Sequence, residues 1–219
     1  KVGRKPQKSR EKTAISREKT IIFAKKVGRN IMVSLLEKLF TQYRKLGIDN
    51  QIDYDKFYLY SLITHSTAIE GSTITELENQ IMFDHGISLK GKSIEEQSMN
   101  LDLKVAYEKA IEFAKHHKPF SIEMLIMLSA LVMKNTGKEY KTALGDFSSA
   151  RGELRLLNVT AGVGGRSYMN YSKVPAKLAE FCEQLNANRA KASEMSIDEL
   201  YRLTFDAHYQ LVTIHPWAD

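Results

Sequence analysis

The sequence closes on Thr213-Ile214-His215-Pro216-Trp217-Ala218-Asp219, where an apolar helical pattern runs into a His-Pro step. Proline disfavours helical geometry in the residue before it, so the helix should stop at or near His215. An imidazole is thereby set at a helix end, in a turn, with the carboxylate of Asp219 four positions on. Such a place suits proton transfer better than packing. Taken alone, His-Pro-aromatic-x-Asp is a weak signal, and its meaning depends on what else the chain carries.

Working back from His215, Ser196-Ile-Asp-Glu199 has the pattern of a capping box and opens the helix that ends there. A preceding helix spans about Pro175–Asn188, with proline near its opening position. Between Arg151 and Tyr171 the character changes to glycine and β-formers. Leu154–Thr160 and Arg166–Tyr171 predict two short strands around the turn Ala161-Gly-Val-Gly-Gly165. A lone hairpin is barely stable in water, so this one must lie on a helical body.

Upstream, Ser121–Asn135 is strongly apolar and predicts a buried central helix. Ser93-Ile-Glu-Glu96 opens a long helix through Phe113, and Thr73-Ile-Thr-Glu76 reads as the cap of a helix ending near Asp84. Tyr54–Glu70 forms another, closed by Gly71, the residue type that best tolerates the left-handed cap conformation. Apolar periodicity from Ile21 to Phe40 predicts a first helix that stops at Leu46-Gly47. The expected fold class is mainly α with a small β-hairpin.

The net charge of +6 is uneven: residues 1–30 hold eleven Lys/Arg against Glu11 and Glu18, which leaves about −3 for the remainder. The basicity therefore belongs to a polar arm, Lys1 to about Thr20, that has no apolar period. No stretch approaches the roughly 18 apolar residues of a membrane span. The single Cys182 cannot form an internal disulfide and sits on a helical pattern with Phe181 and Leu185, so it reads as a packed residue. A reducing, cytoplasmic setting is the expectation. The chain begins with Lys1 rather than Met, so an N-terminus is expected to be missing.

Ser66-Thr-Ala-Ile-Glu70-Gly71 lies at the C-terminal end of its helix. A solvated last-turn acid is the bland reading of Glu70. Yet acids are disfavoured where the helix dipole is negative, and no cation stands in the same turn, so a basic partner from elsewhere is invited. His208 and His215 share a helix face, but with no third ligand nearby His208 reads as packed or supporting. His116-His117 suits a helix C-terminus; His65 is ambiguous and His85 a turn residue.

Two motifs now converge. Ser66-x-x-x-Glu70-Gly71 resembles the inhibitory motif of Fic-domain proteins, and His215-Pro-Trp-Ala-Asp219 resembles the first five residues of their catalytic motif, His-Pro-Phe-x-Asp/Glu-Gly-Asn-Gly/Lys-Arg-x-x-Arg. Gly152-Glu-Leu-Arg155 is similar to the family's Gly-x-Tyr-Arg lead-in, with Leu154 in place of the aromatic residue. The resemblance runs from about residue 54 to the end and implies a Fic-type helical bundle whose hairpin is the target-docking flap.

It further implies transfer of AMP from ATP to a hydroxyl side chain of a target protein, with the protein itself as one candidate target. His215 would be the general base and Asp219 the Mg²⁺ ligand. Ser66, Glu70 and Gly71 would lie at the nucleotide, Glu70 occluding the γ-phosphate position by pairing with a later arginine. Arg166, Ser167, Tyr168 and Met169 are the candidate docking residues of the flap. On this reading residues 1–20 are a flexible arm, 21–90 a helical extension with the inhibitory helix, and 91–219 the catalytic core. The phosphate-binding nest and arginines of the motif fall beyond Asp219, so the natural chain is expected to continue, and the 219 residues alone to be inactive.

Two alternatives stand beside this. The basic arm, with Val2-Gly3-Arg4-Lys5-Pro6 resembling a minor-groove hook, allows a DNA-binding or toxin-antitoxin-type interaction protein, although no recognition helix is evident. Within the same fold, some Fic relatives move other phosphate-containing groups or remove AMP.

Overall fold

A computed structural model describes residues 37–50 and 53–218. The chain divides into two compact units, Lys1–Ile52 and Asp53–Asp219. In the first, helix α1 covers residues 37–45 and closes on Gly47, whose φ of 61° is the left-handed stop expected there. A 3-10 turn, Ile48–Asn50, follows. The basic arm and the apolar period from Ile21 to Leu36 lie outside the described residues.

The second unit is built from α2 (Tyr54–Ile69), α3 (Glu76–His85), α4 (Ile94–Lys115), α5 (Ile122–Val132), α6 (Val174–Arg189) and α7 (Ile197–Ile214). Local chemistry starts and stops most of them. Ser93 and Glu96 form a reciprocal capping box on α4, and Ser196 and Glu199 do the same on α7. Gly71 (φ 94°) and Gly86 (φ 64°) take the left-handed conformations that follow α2 and α3. At α3 the expected cap is displaced: Thr75 pairs with Glu78, not Thr73 with Glu76. The Ser/Thr-x-x-Glu pattern occurs twice there, and Thr73 is engaged elsewhere, its N–H and hydroxyl both donating to Glu96 at 2.8 Å.

The sheet is not where the sequence places it. Strands β1 (Glu139–Thr142) and β2 (Gly145–Ser148) pair antiparallel, Tyr140 opposite Phe147, across the turn Ala143-Leu144. Their rings stack at 4.7 Å, and Phe147 is buried. The expected strands at 154–160 and 166–171 reduce to one bridge, Thr160 to Ser167. Two backbone bonds flank it, Ala161 N–H to Arg166 O at 3.0 Å and Tyr168 N–H to Val159 O at 3.1 Å. The reason is competition for ladder groups. The Leu157 and Met169 carbonyls accept from the Arg155 side chain, and Asn158 Oδ1 takes the N–H of Tyr171.

Leu125, Val174, Leu178, Phe181, Cys182 and Ile214 form a core between α5, α6 and α7, with Leu154, Met169 and Trp217 packed against it. Burying a residue such as Leu178 or Phe181 stabilises the fold by about 1.5–3 kcal/mol. Burial also pushes the Cys182 thiol pKa up, consistent with an inert packed residue. Helix α5 is less buried than its composition suggests, because Met127 faces solvent and only Leu125 and Ser129 are enclosed. No helix among the described residues is long and apolar enough to cross a membrane.

Candidate active site

Helix α7 delivers His215. The His215 N–H still closes the last turn on Leu211 O at 2.9 Å, and the backbone then swings to φ 45°, ψ 72°. That left-handed conformation is uncommon for a residue with a side chain, and the following proline denies His215 the helical alternative. Pro216 and Ala218 are buried, and the Trp217 indole N–H donates to Gly152 O at 2.9 Å. Gly152 has φ 67° and packs so tightly on α5 that a Cβ there would lie 2.1 Å from Ile126 O. Tryptophan thus anchors the turn to the Gly152-Glu-Leu-Arg155 segment.

The turn is locked by Arg155, which is 1% exposed. Its Nε donates to His215 O at 2.7 Å and its Nη1 to Leu157 O at 2.7 Å. Its Nη2 donates to Met169 O and, at 3.4 Å, to Ile214 O, while its backbone N–H donates to Pro216 O at 3.0 Å. A cation among carbonyls at a helix C-terminus answers the negative end of the dipole. Burial pulls the guanidinium pKa down, though from so high a value that it stays charged. The sequence reading singled out Arg155 only as part of a lead-in; its role in holding the histidine had no local signal.

Met169 and Tyr168 approach from the Gly-rich segment. The Tyr168 ring lies on the His215 imidazole, with centroids 4.0 Å apart and planes 9° apart. Arg166 and Ser167, by contrast, are exposed at the tip. The four candidate docking residues are therefore divided: Arg166 and Ser167 face solvent, Tyr168 meets the histidine, and Met169 packs on the core. Asp219 lies outside the described residues.

Glu70 caps α2 and is exposed; its carboxylate pairs with no basic side chain among the described residues. Ser66 and Glu70 line one cavity of about 390 Å³ with Met99, Leu103, Val132 and Lys138. His215 is not among the residues lining it. Behind Gly71 lies a buried polar junction that sequence reasoning missed. Asn100 Oδ1 accepts from Thr67 Oγ1 and Asn79 Nδ2, each at 2.9 Å, and Asn100 Nδ2 donates to Ser72 Oγ at 3.1 Å. The available signal was two asparagines placed inside helical runs. Of the other histidines, His65 pairs with Glu76 at 3.2 Å, and His208 is exposed rather than packed.

Residues 119–219 match the family model described as Fic/DOC family. That part of the chain is a Fic-type domain. Over 167 residues it is 26% identical to protein adenylyltransferase fic-1 of Caenorhabditis briggsae and 25% identical to the protein of that name from Caenorhabditis elegans. These matches take in 75% of the chain but only 29% of either relative. The fold resembles Fic-1 (residues 134–508) from C. elegans, with TM-score 0.67 and 20% identity, covering 95% of this chain and 58% of that one. It also resembles a Fic-domain signalling protein from Bacteroides thetaiotaomicron, with TM-score 0.65 and 16% identity, covering 84% of this chain and 66% of the other. The Arg155–His215 clamp lies inside the matched Fic domain, whereas Glu70 and its polar junction precede it.

Proposed function

We propose that this Fic domain transfers AMP from ATP to a hydroxyl side chain of a protein, with His215 as general base and Glu70 as an intramolecular brake. One observation carries the reading: a histidine stands at the exit of α7 within the matched region, its carbonyl clamped by buried Arg155 and its ring held on Tyr168. A neutral imidazole carries a lone pair on one ring nitrogen, so His215 can accept the hydroxyl proton. As that proton leaves, the hydroxyl oxygen bonds to the α-phosphorus, the bond to the bridging oxygen breaks, and pyrophosphate departs.

Asp219, four residues after His215, would hold Mg²⁺, which supplies charge neutralisation at the phosphates. A carboxylate is the right donor, since Mg²⁺ takes one or two carboxylates plus substrate phosphates rather than a full protein cage. Arg155 does not contact phosphate: it is buried and directed onto carbonyls. The protein substrate would present an extended segment along exposed Arg166 and Ser167.

Glu70 suits a brake because it is exposed, unpaired among the described residues and set at the negative end of a helix, where an arginine is welcome. The test is mass spectrometry after incubation with ATP and Mg²⁺, using the chain and versions that continue the motif beyond Asp219. Glu70→Gly should gain an AMP adduct that vanishes when His215→Ala is added. Because Glu70 is exposed, its replacement should change stability by no more than about 0.5 kcal/mol. No adduct in any version sinks self-adenylylation; equal adducts with and without Glu70 sink the brake.

A further inference from the structure

The Gly-rich segment meets the histidine through Tyr168. Tyr168 is half-buried, and its ring lies parallel to the His215 imidazole at 4.0 Å. Its backbone N–H is tied to Val159 O at 3.1 Å, and the next carbonyl, Met169 O, accepts from the Arg155 guanidinium that also holds His215 O. Ring and imidazole are thus carried by two strings that end on the same cation. From these contacts we propose that Tyr168 is a positioning residue for His215. The stack sets the plane of the imidazole, and with it the direction in which a ring nitrogen can take a proton.

The physical argument is one of freedom. His215 stands in a turn, in a backbone conformation that only packing can maintain, and its side chain is only half-buried. An imidazole there has two soft torsions, and a base acts only when its nitrogen lies within hydrogen-bond reach of the hydroxyl. A parallel aromatic ring restricts both torsions without occupying either nitrogen, because stacking uses the ring face and the lone pair lies in the ring plane.

This deepens the proposed AMP transfer and rests on it for its chemistry. The segment that would receive the target also holds the base, since Ser167 makes the bridge to Thr160 and the neighbouring Tyr168 makes the stack. A target segment that pulls Ser167 out of its bridge would therefore disturb His215, and one that pairs without doing so would leave the base aimed.

The experiment compares Tyr168→Leu and Tyr168→Phe with the native chain, mapping carbethoxylation of each histidine by diethyl pyrocarbonate. Circular dichroism melts and amide exchange at Arg155 confirm that each variant is folded. Tyr168→Leu should raise the modification rate of His215 several-fold and leave that of His65 unchanged, while Tyr168→Phe, which keeps a ring to stack, should restore most of the protection. Equal His215 rates in all three chains would overturn the proposal. In versions that transfer AMP, Tyr168→Leu should lower kcat several-fold with the KM for ATP unchanged, and Tyr168→Phe should recover most of the loss. A loss confined to KM would overturn positioning. If no version transfers AMP, the proposed function fails, and the carbethoxylation rates alone decide whether Tyr168 holds the ring.

Discussion

Helices α2 and α7 finish at the two residues of most interest, Glu70 and His215, and different chemistry holds the two ends. Beneath the α2 end, neutral side chains of Thr64, Thr67, Ser72, Asn79 and Asn100 bond to one another across α2, α3 and α4, and Asn79 Oδ1 is left without a partner. Beneath the α7 end a single buried cation, Arg155, gathers the backbone carbonyls of Ile214, His215, Leu157 and Met169. A neutral network shares its stability among many bonds of about 1 kcal/mol each, so it can loosen by degrees. A guanidinium that satisfies several carbonyls at once holds all of them or none. On the proposed function, a brake must be able to leave and a general base must stay aimed, and the two ends suit those roles.

The contrast can be broken most directly at Arg155. Arg155→Met leaves buried carbonyls without donors and should cost about 3–5 kcal/mol in urea denaturation, with His215 and Met169 losing order together. A loss below about 1 kcal/mol would put the two helix ends on the same footing. Asn100→Ala tests the other side: it removes the acceptor shared by Thr67 and Asn79 and the donor to Ser72, and should cost about 2–3 kcal/mol. Amide exchange should then quicken at Ser72, whose N–H bonds to Thr67 O, and stay native at His215. Exchange that rose equally at both ends would mean they form one cooperative unit.

The smallest effect is expected at Glu96, which ties Thr73 to the start of α4. The backbone N–H groups of Thr73 and Ser93 and the Thr73 hydroxyl hold its carboxyl at about 2, against an ordinary value of 4.5. The folded value lies below the unfolded one, so the stabilisation is complete above about 4.5 and fades as the pH falls through about 2. Stability measured against pH should decline through that window in the native chain. Glu96→Gln should be less stable at neutral pH and show a flatter decline; parallel profiles would remove Glu96 from the α2–α4 junction.

The parts of the fold legible from the residues were those with local signals. Serine with glutamate three positions on marked the starts of α4 and α7, glycine marked the stops of α1 and α2, and proline placed His215 outside its helix. Where one signal occurred twice, at Thr73 and Thr75, the chosen register was wrong, because a bond to Glu96 from another helix decided between them. The β-formers of 154–171 did not become strands because Arg155 and Asn158 claimed their backbone groups. The polar stretch Glu139–Ser148 did form the sheet, on the stacking of Tyr140 on Phe147.

By itself the sequence determined the helical class, most helix boundaries, and the placement of Glu70 and His215 at helix ends, since caps, stops and proline act within a few residues. Tertiary structure alone decided what those ends touch. Arg155 and His215 are 60 positions apart, and Thr67 and Asn100 are 33 apart. No periodicity or propensity spans such distances. They close only when the core of α5, α6 and α7 is packed, and desolvation then obliges each buried donor and carbonyl to find a partner.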